Sequence, residues 1–521
     1  VKDPVTRYLE TLEPLVSAED LERNKRLAKE FVESDVAKKL QAGLRRVADA
    51  KGYPYHYFET AWDDMYYGGR WPLPVHVNPF FCISKESDPA LQNQVRRAAK
   101  YATSMVKWHR KVVENRLEPD MEKGKPLDGF QYGMVFGVER VPDEKRDLFI
   151  PHGANSKHII VLHRHRYYRV EVVAGDGAVL SEDALARKLE QILDDRGATA
   201  DQDAPVVASG DRAHYYRARH EMIRVSPTVN GVSWKDLDTS LFVLVLEDSS
   251  SDSLLERGRQ YLHGVDGTYR YFDKHQLIVH SDGALGMCLE HGCNDGMTWY
   301  RMLAEVWGDV HSDFKSGFSS LKTREVSDIA PIKPLSWDLK SSPNTAKHMQ
   351  TSLDAAKALV DDVDVALCMF TDFGRDAIKA WKVSPDAAAQ MAFQLAYSRV
   401  NPTLGAPAVY ESCSMRSYFH GRSETIRSSR TESKQMVKTF LNPSASAKDK
   451  REALQKACEK HVNVANGARS CSGPHIGVDR HLLGLRMQAA EQGIELPALF
   501  KDPAFSKSNT WILSTSNVTT P

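Results

Sequence analysis

Between residues 130 and 300 the chain changes texture, and that change limits its fold more than any other feature. Before it, Leu9, Leu12, Leu15, Val16, Leu27, Phe31, Val32, Val36 and Leu40 recur at helical spacing through residues 7–50, and Asn93–Arg116 reads as one long helix. Inside it, short strands take over: His158–Leu162, Tyr168–Val173, Ser240–Leu246, Leu277–His280 and Gly286–Leu289. One helix, Glu182–Leu193, interrupts them. Ser181 is its expected N-cap, and Glu182 and Asp183 suit the positive end of its dipole, while Ala184 excludes a full capping box. Residues 312–345, rich in Ser, Lys and Pro, mark a linker. Beyond it the pattern alternates again. Thr351–Val363 reads as a helix, Ala366–Phe370 as a strand, Ser384–Arg399 as a helix capped by Ser384-Pro385-Asp386, Ser444–Val464 and His481–Glu491 as helices, and Thr510–Ser516 as a strand. This mixture predicts α+β layers in two halves. A length of 521 residues, too great for one ordinary core, agrees with two or three domains.

Composition then removes whole classes of partner. Lys+Arg and Asp+Glu are both 69, so no basic excess favours nucleic acid, and an anionic ligand must be met by a local basic cluster. Seven cysteines are scattered without a CxxC pair, which predicts neither a disulfide framework nor a zinc site and suits a reducing compartment. Apolar runs such as Leu241–Leu246 fall far short of the ~20 residues of a membrane span. No GxxxxGK or GxGxxG phosphate loop is present, which argues against a nucleotidase or dehydrogenase. The first residue, Val1, with no targeting segment before it, and the abrupt stop at Pro521 lead us to expect a processed or truncated start and a truncated C-terminal domain.

The most chemically suggestive stretch is Glu290-His291-Gly292-Cys293-Asn294-Asp295-Gly296. It follows two strand-like segments joined by Ser281-Asp282-Gly283, a turn signal, so His291 should stand just past a strand end. A neutral imidazole there can act as a general base, but with 19 histidines in the chain the position alone is a weak signal. Cys293 could be a thiol nucleophile, although a buried cysteine is the commoner outcome. His163 and His165 have metal-ligand spacing without an evident third ligand, and a solvated strand face is the expected reading. The mixed charges of Lys448–Lys460 predict a solvated helix face.

Five segments in the same order carry a resemblance: Tyr271–Trp299, Ser384–Arg399 (SPDAAAQMAFQLAYSR), Tyr410–Arg427 (YESCSMRSYFHGRSETIR), Asp479–Arg486 (DRHLLGLR) and Leu513–Ser516 (LSTS). Together they resemble the choline/carnitine acyltransferase family, from about residue 7 to 521. Trp62–Phe80, His263–Asp273, EHGCNDG and YESCS are most similar to its mitochondrial palmitoyl-transferring type, although residues 117–150 are too short for that type's membrane-associating insert. The resemblance implies two chloramphenicol-acetyltransferase-like domains, each a mixed sheet flanked by helices, with the active-site tunnel between them. The implied division is 1–48 (helices packing with the C-terminal domain), 49–330 (the domain with the catalytic histidine) and 331–521 (coenzyme A and carnitine binding).

The same resemblance implies acyl-CoA and L-carnitine as substrates, no cofactor, no metal and no nucleic acid, with peripheral membrane contact and the mitochondrial matrix as expectations. Peroxisome and cytosol stay open as compartments, and a short-chain acetyltransferase, a choline acetyltransferase and a non-catalytic acyl-CoA-binding module stay open as functions. It makes His291 the general base, Asp295 a residue that holds the loop through an arginine, and Ser516 the donor to the oxyanion. Tyr66, Tyr410, Ser412, Ser423, Arg480 and Ser514 become the carnitine-binding set. Arg480 meets the carboxylate that choline lacks, and Ser423 stands where carnitine enzymes carry Thr. Without the family, Arg480 reads as a surface salt bridge at a helix start. Arg375, Lys379, Ser384 and Asp386 become the coenzyme A set, with Arg375 replacing a family lysine at the 3′-phosphate.

Overall fold

The structure, a computed structural model, describes residues 2–52, 55–198, 202–265, 267–311, 323–469 and 478–517. The chain forms two compact units. One comprises residues 1–62, 121–128 and 368–521, and the other 63–120 and 129–367.

The second unit is built on a seven-stranded mixed sheet. Its strands are β1 (Phe80–Ile83), β2 (His158–His163), β3 (Arg166–Glu171), β4 (Val243–Glu247), β5 (Gln276–His280), β6 (Leu285–Cys288) and β7 (Lys333–Pro334), in the order β1-β6-β5-β4-β2-β3-β7. β4 runs parallel to both β5 and β2, and the remaining pairs are antiparallel. The central strands are buried along nearly their whole length because both faces are covered, which is why they read as continuous apolar runs. The pleat divides them. Ile159, Val161, Leu244, Leu246, Leu277, Val279, Leu285 and Met287 join one core with helices Gln94–Val113, Glu182–Leu193 and Gly296–Val310. Ile160, Leu162, Val243, Val245 and Ile278 join another, against Tyr215, Met222 and Trp234. The cap on Glu182–Leu193 forms as its sequence predicts, with the Ala184 amide donating to Ser181 Oγ at 3.4 Å.

Two expectations fail here. His163 and His165 do not lie on a solvated strand face. β2 ends at His163, and Arg164 and His165 both take positive φ (45° and 60°), forming the two-residue turn into β3. Both rings are buried, His163 Nδ1 against the Leu246 carbonyl at 3.1 Å and His165 Nδ1 against Asp203 at 3.0 Å. Ala366–Phe370 is not a strand. Its apolar side chains lie exposed, Met369 at 70% and Phe370 at 58%, and no ladder pairs it among the described residues. Strand propensity without a partner strand leaves its backbone groups unmatched, so composition alone does not make the element. Part of the proposed linker, 312–322, lies outside the described residues.

The first unit contains helices Lys2–Leu12, Ala18–Glu33 and Asp35–Lys51, which share a core with Leu482, Leu485, Leu499 and Phe505. Beside them is a three-stranded sheet, β8 (Val409–Ser414), β9 (Ser423–Ile426) and β10 (Leu513–Thr515), in the order β9-β8-β10. β9 is antiparallel and β10 parallel to β8. Cys413 and Ile426 pack from this sheet onto Ala465 and Ala468 of helix Ala447–Arg469, whose Lys448–Lys460 stretch is solvated over much of its surface as expected.

Candidate functional site

β5 and β6 form the hairpin anticipated around Ser281-Asp282-Gly283. Gly283 has φ +76°, and a Cβ there would come within 2.4 Å of the Gln92 carbonyl oxygen, so the turn requires glycine. Arg97, buried in the long helix, donates to the Gly283 carbonyl at 2.7 Å and pins the turn. The hairpin delivers the chain into the loop 289–295, where His291 is half-buried. Its ring lies 4.9 Å from that of Trp299, edge to face, and 5.5 Å from that of Tyr66. Of the carnitine-binding set, Tyr66 is therefore the member found beside His291 in this unit.

The loop is held from several sides. The Glu290 amide donates to His275 Nδ1 at 3.0 Å, which leaves the ring proton on Nε2, facing Asn294 Oδ1 at 3.2 Å. Burial pulls His275 down to about 3, so it is a neutral strut and not a second base. The Glu290 carboxylate accepts the Gly292 amide at 2.8 Å and an N–H of Arg140. Asp295 is held within this unit by Gln131, whose amide donates to its carboxylate at 2.6 Å.

Arg140 belongs to a buried ion network behind the loop. Its Nε meets Asp147 at 2.8 Å. Arg212 meets the same carboxylate at 2.8 Å and grips Asp273 at 2.6 and 3.2 Å. Burial alone would raise the Asp147 carboxyl, but Arg212 and Arg140 together hold it below its ordinary value. A small cavity of mixed lining behind the loop is bordered in part by Arg140, Lys274, Glu290 and Cys293. Because the charges are fully desolvated, removing one leaves its partners uncompensated. Arg212→Met is expected to destabilise the unit by about 3–5 kcal/mol, measured as an earlier denaturant midpoint.

In the first unit, alternation along β8 separates two chemistries. Val409, Glu411 and Cys413 are buried, whereas Tyr410 is half-buried and Ser412 and Ser414 are exposed. The register pairs Ser412 with Thr425, Ser414 with Ser423 and Tyr410 with Ser514. Tyr410, Ser412, Ser423 and Ser514 thus share one hydroxyl-bearing sheet face. β10 stops at Thr515, so the pleat that directs Ser514 does not extend to Ser516, which is exposed just beyond the strand.

Arg480 begins helix Val478–Glu491 and is 2% exposed, so the surface salt bridge is excluded. Its Nε and a terminal N–H both donate to the Ser423 carbonyl, the former at 2.6 Å, and its guanidinium lies 5.0 and 5.2 Å from the Phe58 and Trp62 ring centres. The neighbouring Glu424 carboxyl is pushed up to about 7 by burial, with Asp479 adding to the rise and Arg480 opposing it.

Of the coenzyme A set, Arg375 and Lys379 are exposed on the short helix Arg375–Ala380. Ser384 caps helix Pro385–Val400, accepting the Ala387 amide at 3.4 Å. The Asp386 carboxyl is lowered chiefly by His461, whose Nε2 lies 3.3 Å away and 3.4 Å from Glu411. Among the described residues, Asp386, Glu411 and His461 are those whose donor atoms converge enough to hold a metal, within 4.8 Å of one another. However, His461 and Ser428 (Oγ to Glu411 at 3.1 Å) already satisfy the carboxylates they face, and Glu411, pushed up to about 7 by burial, resists the ionised form a cation needs.

The family model for choline/carnitine O-acyltransferases matches residues 1–521. The chain belongs to the choline/carnitine acyltransferase family. Its relatives include carnitine O-acetyltransferase of Homo sapiens, 30% identical over 99% of this chain and 82% of the relative, and that of Columba livia, 29% identical with the same coverage. Carnitine O-palmitoyltransferase 2, mitochondrial, of Mus musculus is 28% identical over 100% of this chain and 82% of its own length. The mixed α/β architecture agrees with that of the family, as the sequence led us to expect.

Several residues escaped the sequence reading. Gln131, Phe58 and His461 do their work through contacts with distant residues, and none lies in a pattern that spacing reveals. For Trp62, His275, Glu290 and Asn294 a signal existed, since all four stand inside segments that resemble the family.

Proposed function

We propose that this acyltransferase moves medium or long fatty acyl groups reversibly between coenzyme A and L-carnitine, in the manner of a palmitoyltransferase and on the matrix side of mitochondria. No helix of the described residues is long and apolar enough to cross a membrane, and any membrane contact in this reading is peripheral. The His291 imidazole takes the proton of the carnitine hydroxyl as that oxygen attacks the thioester carbonyl. Ser516 donates to the developing oxyanion. The tetrahedral adduct then expels the coenzyme A thiolate, which recovers the proton from His291, so transfer is direct and needs no acyl-enzyme. Tyr66, Tyr410, Ser412, Ser423 and Ser514 surround the carnitine. Arg375 and Lys379 meet the 3′-phosphate of coenzyme A, and Ser384 and Asp386 its nucleotide.

The observation that carries this reading is the burial of Arg480 against β9, the edge strand that carries Ser423. A desolvated guanidinium favours an alcohol that brings its own carboxylate, and choline brings none. The test is free-thiol release from acetyl-, octanoyl- and palmitoyl-CoA with L-carnitine and with choline. Octanoyl- or palmitoyl-CoA with carnitine should be turned over fastest. A preference for acetyl-CoA would replace the chain-length assignment by that of a short-chain carnitine acetyltransferase, and a preference for choline would remove the substrate assignment.

A further inference from the structure

At its C-terminal end, the loop that carries His291 is fastened by Gln131, which lies outside it. Gln131 lies in the short 3₁₀ turn Phe130–Met134 and is 3% exposed. Its Oε1 accepts the Asp295 amide at 2.8 Å and the Thr298 hydroxyl at 2.8 Å. Its Nε2 donates to the Asp295 carboxylate at 2.6 Å, and its backbone carbonyl accepts from Asn294 Nδ2 at 2.7 Å. One side chain and its own carbonyl therefore close on residues 294, 295 and 298, which span the end of the loop and the first turn of helix Gly296–Val310. Asp295 caps that helix only by position, since its side chain makes no capping bond. The carboxylate is turned to Gln131 instead.

We infer that Gln131 is a positioning residue for the acyl transfer, setting the height of the His291 imidazole by clamping the chain four residues downstream of it. This rests on the assignment of His291 as general base. The geometry suits a neutral group that accepts on one atom and donates from the other, which an amide does at any pH and a carboxyl only when protonated. Oε1 must accept two bonds while Nε2 donates to an anion, so a carboxylate at 131 would face Asp295 as a like charge, and a shorter amide would not span both. Holding a base to within a fraction of an ångström acts on the transition state more than on substrate binding, so the cost should fall on kcat.

The experiment compares wild type, Gln131→Ala, Gln131→Asn and Gln131→Glu by kcat and KM for both substrates across pH 6–9, with amide hydrogen exchange over residues 290–300. Gln131→Ala and Gln131→Asn should lower kcat by about 10–100-fold while both KM values stay within about threefold. They should also lose exchange protection at the Asp295 amide. Gln131→Glu should give a pH profile that wild type lacks. Below the raised pKa of the introduced carboxyl the protonated group donates to Asp295 as the amide does, and activity approaches wild type. Above it, repulsion opens the loop and activity falls. That rescue takes place in one folded sample, so misfolding cannot imitate it. Active wild type with unchanged kcat in Gln131→Ala, a uniform loss in Gln131→Glu at every pH, or unchanged protection at Asp295 would each overturn the positioning role. A wild type that transfers nothing would instead overturn the proposed function, and the exchange measurement would still decide the clamp.

Discussion

Replacing His291 with alanine is expected to slow thiol release by about 10²–10⁴-fold while acyl-CoA still binds. The imidazole projects from a loop held by Glu290, His275 and Gln131, and its ring lies against Trp299 and Tyr66, so truncation removes the base without removing what shapes the loop. The two KM values should move little, because a general base contributes where the proton is in flight and not where the substrate is bound. A rapid-quench measurement makes the result sharper. Direct transfer predicts no burst of thiol in either protein when carnitine is omitted. A burst, or full activity in His291→Ala, would return Cys293 to consideration as a nucleophile and remove the mechanism.

Arg480→Gln should raise the KM for carnitine by about two to three and a half decades, equivalent to about 3–5 kcal/mol for breaking a buried ion pair, and leave the KM for acyl-CoA unaffected. Arg480→Lys is the informative companion. It keeps the charge but cannot donate twice to the Ser423 carbonyl or present a planar guanidinium to the Phe58 and Trp62 rings, so it should recover only part of the loss. Choline turnover should rise relative to carnitine in Arg480→Gln. Equal losses for carnitine and choline would mean that the guanidinium acts on the fold and not on the carboxylate.

Local rules decided what the sequence made legible. Ser181 and Ser384 cap the helices they were expected to cap, because an N-cap needs only a short polar side chain and the amides that follow it. The hairpin before His291 was readable because its turn carries a glycine at positive φ between two apolar runs. Ala366–Phe370 misled for the opposite reason, since a strand is a property of two segments and only one was visible. His163 and His165 misled because a tight turn between them breaks the alternation on which their shared face was inferred. The candidate site divided in the same way. His291 and Arg480 were found through resemblance, whereas Gln131, 160 residues before His291, could be found only once the chain had folded back on itself.

The pleat of the three-stranded sheet has a consequence for how such an enzyme can change its diet. Positions 410, 412, 423 and 514 point one way, and their neighbours 411, 413, 424 and 426 point into packing the protein cannot give up. Mutation can therefore wander over the proposed recognition surface in steps of two residues, trading one hydroxyl for another, as with serine at 423, without disturbing the layer beneath. New alcohols become reachable by redecorating a wall whose foundations stay where they are.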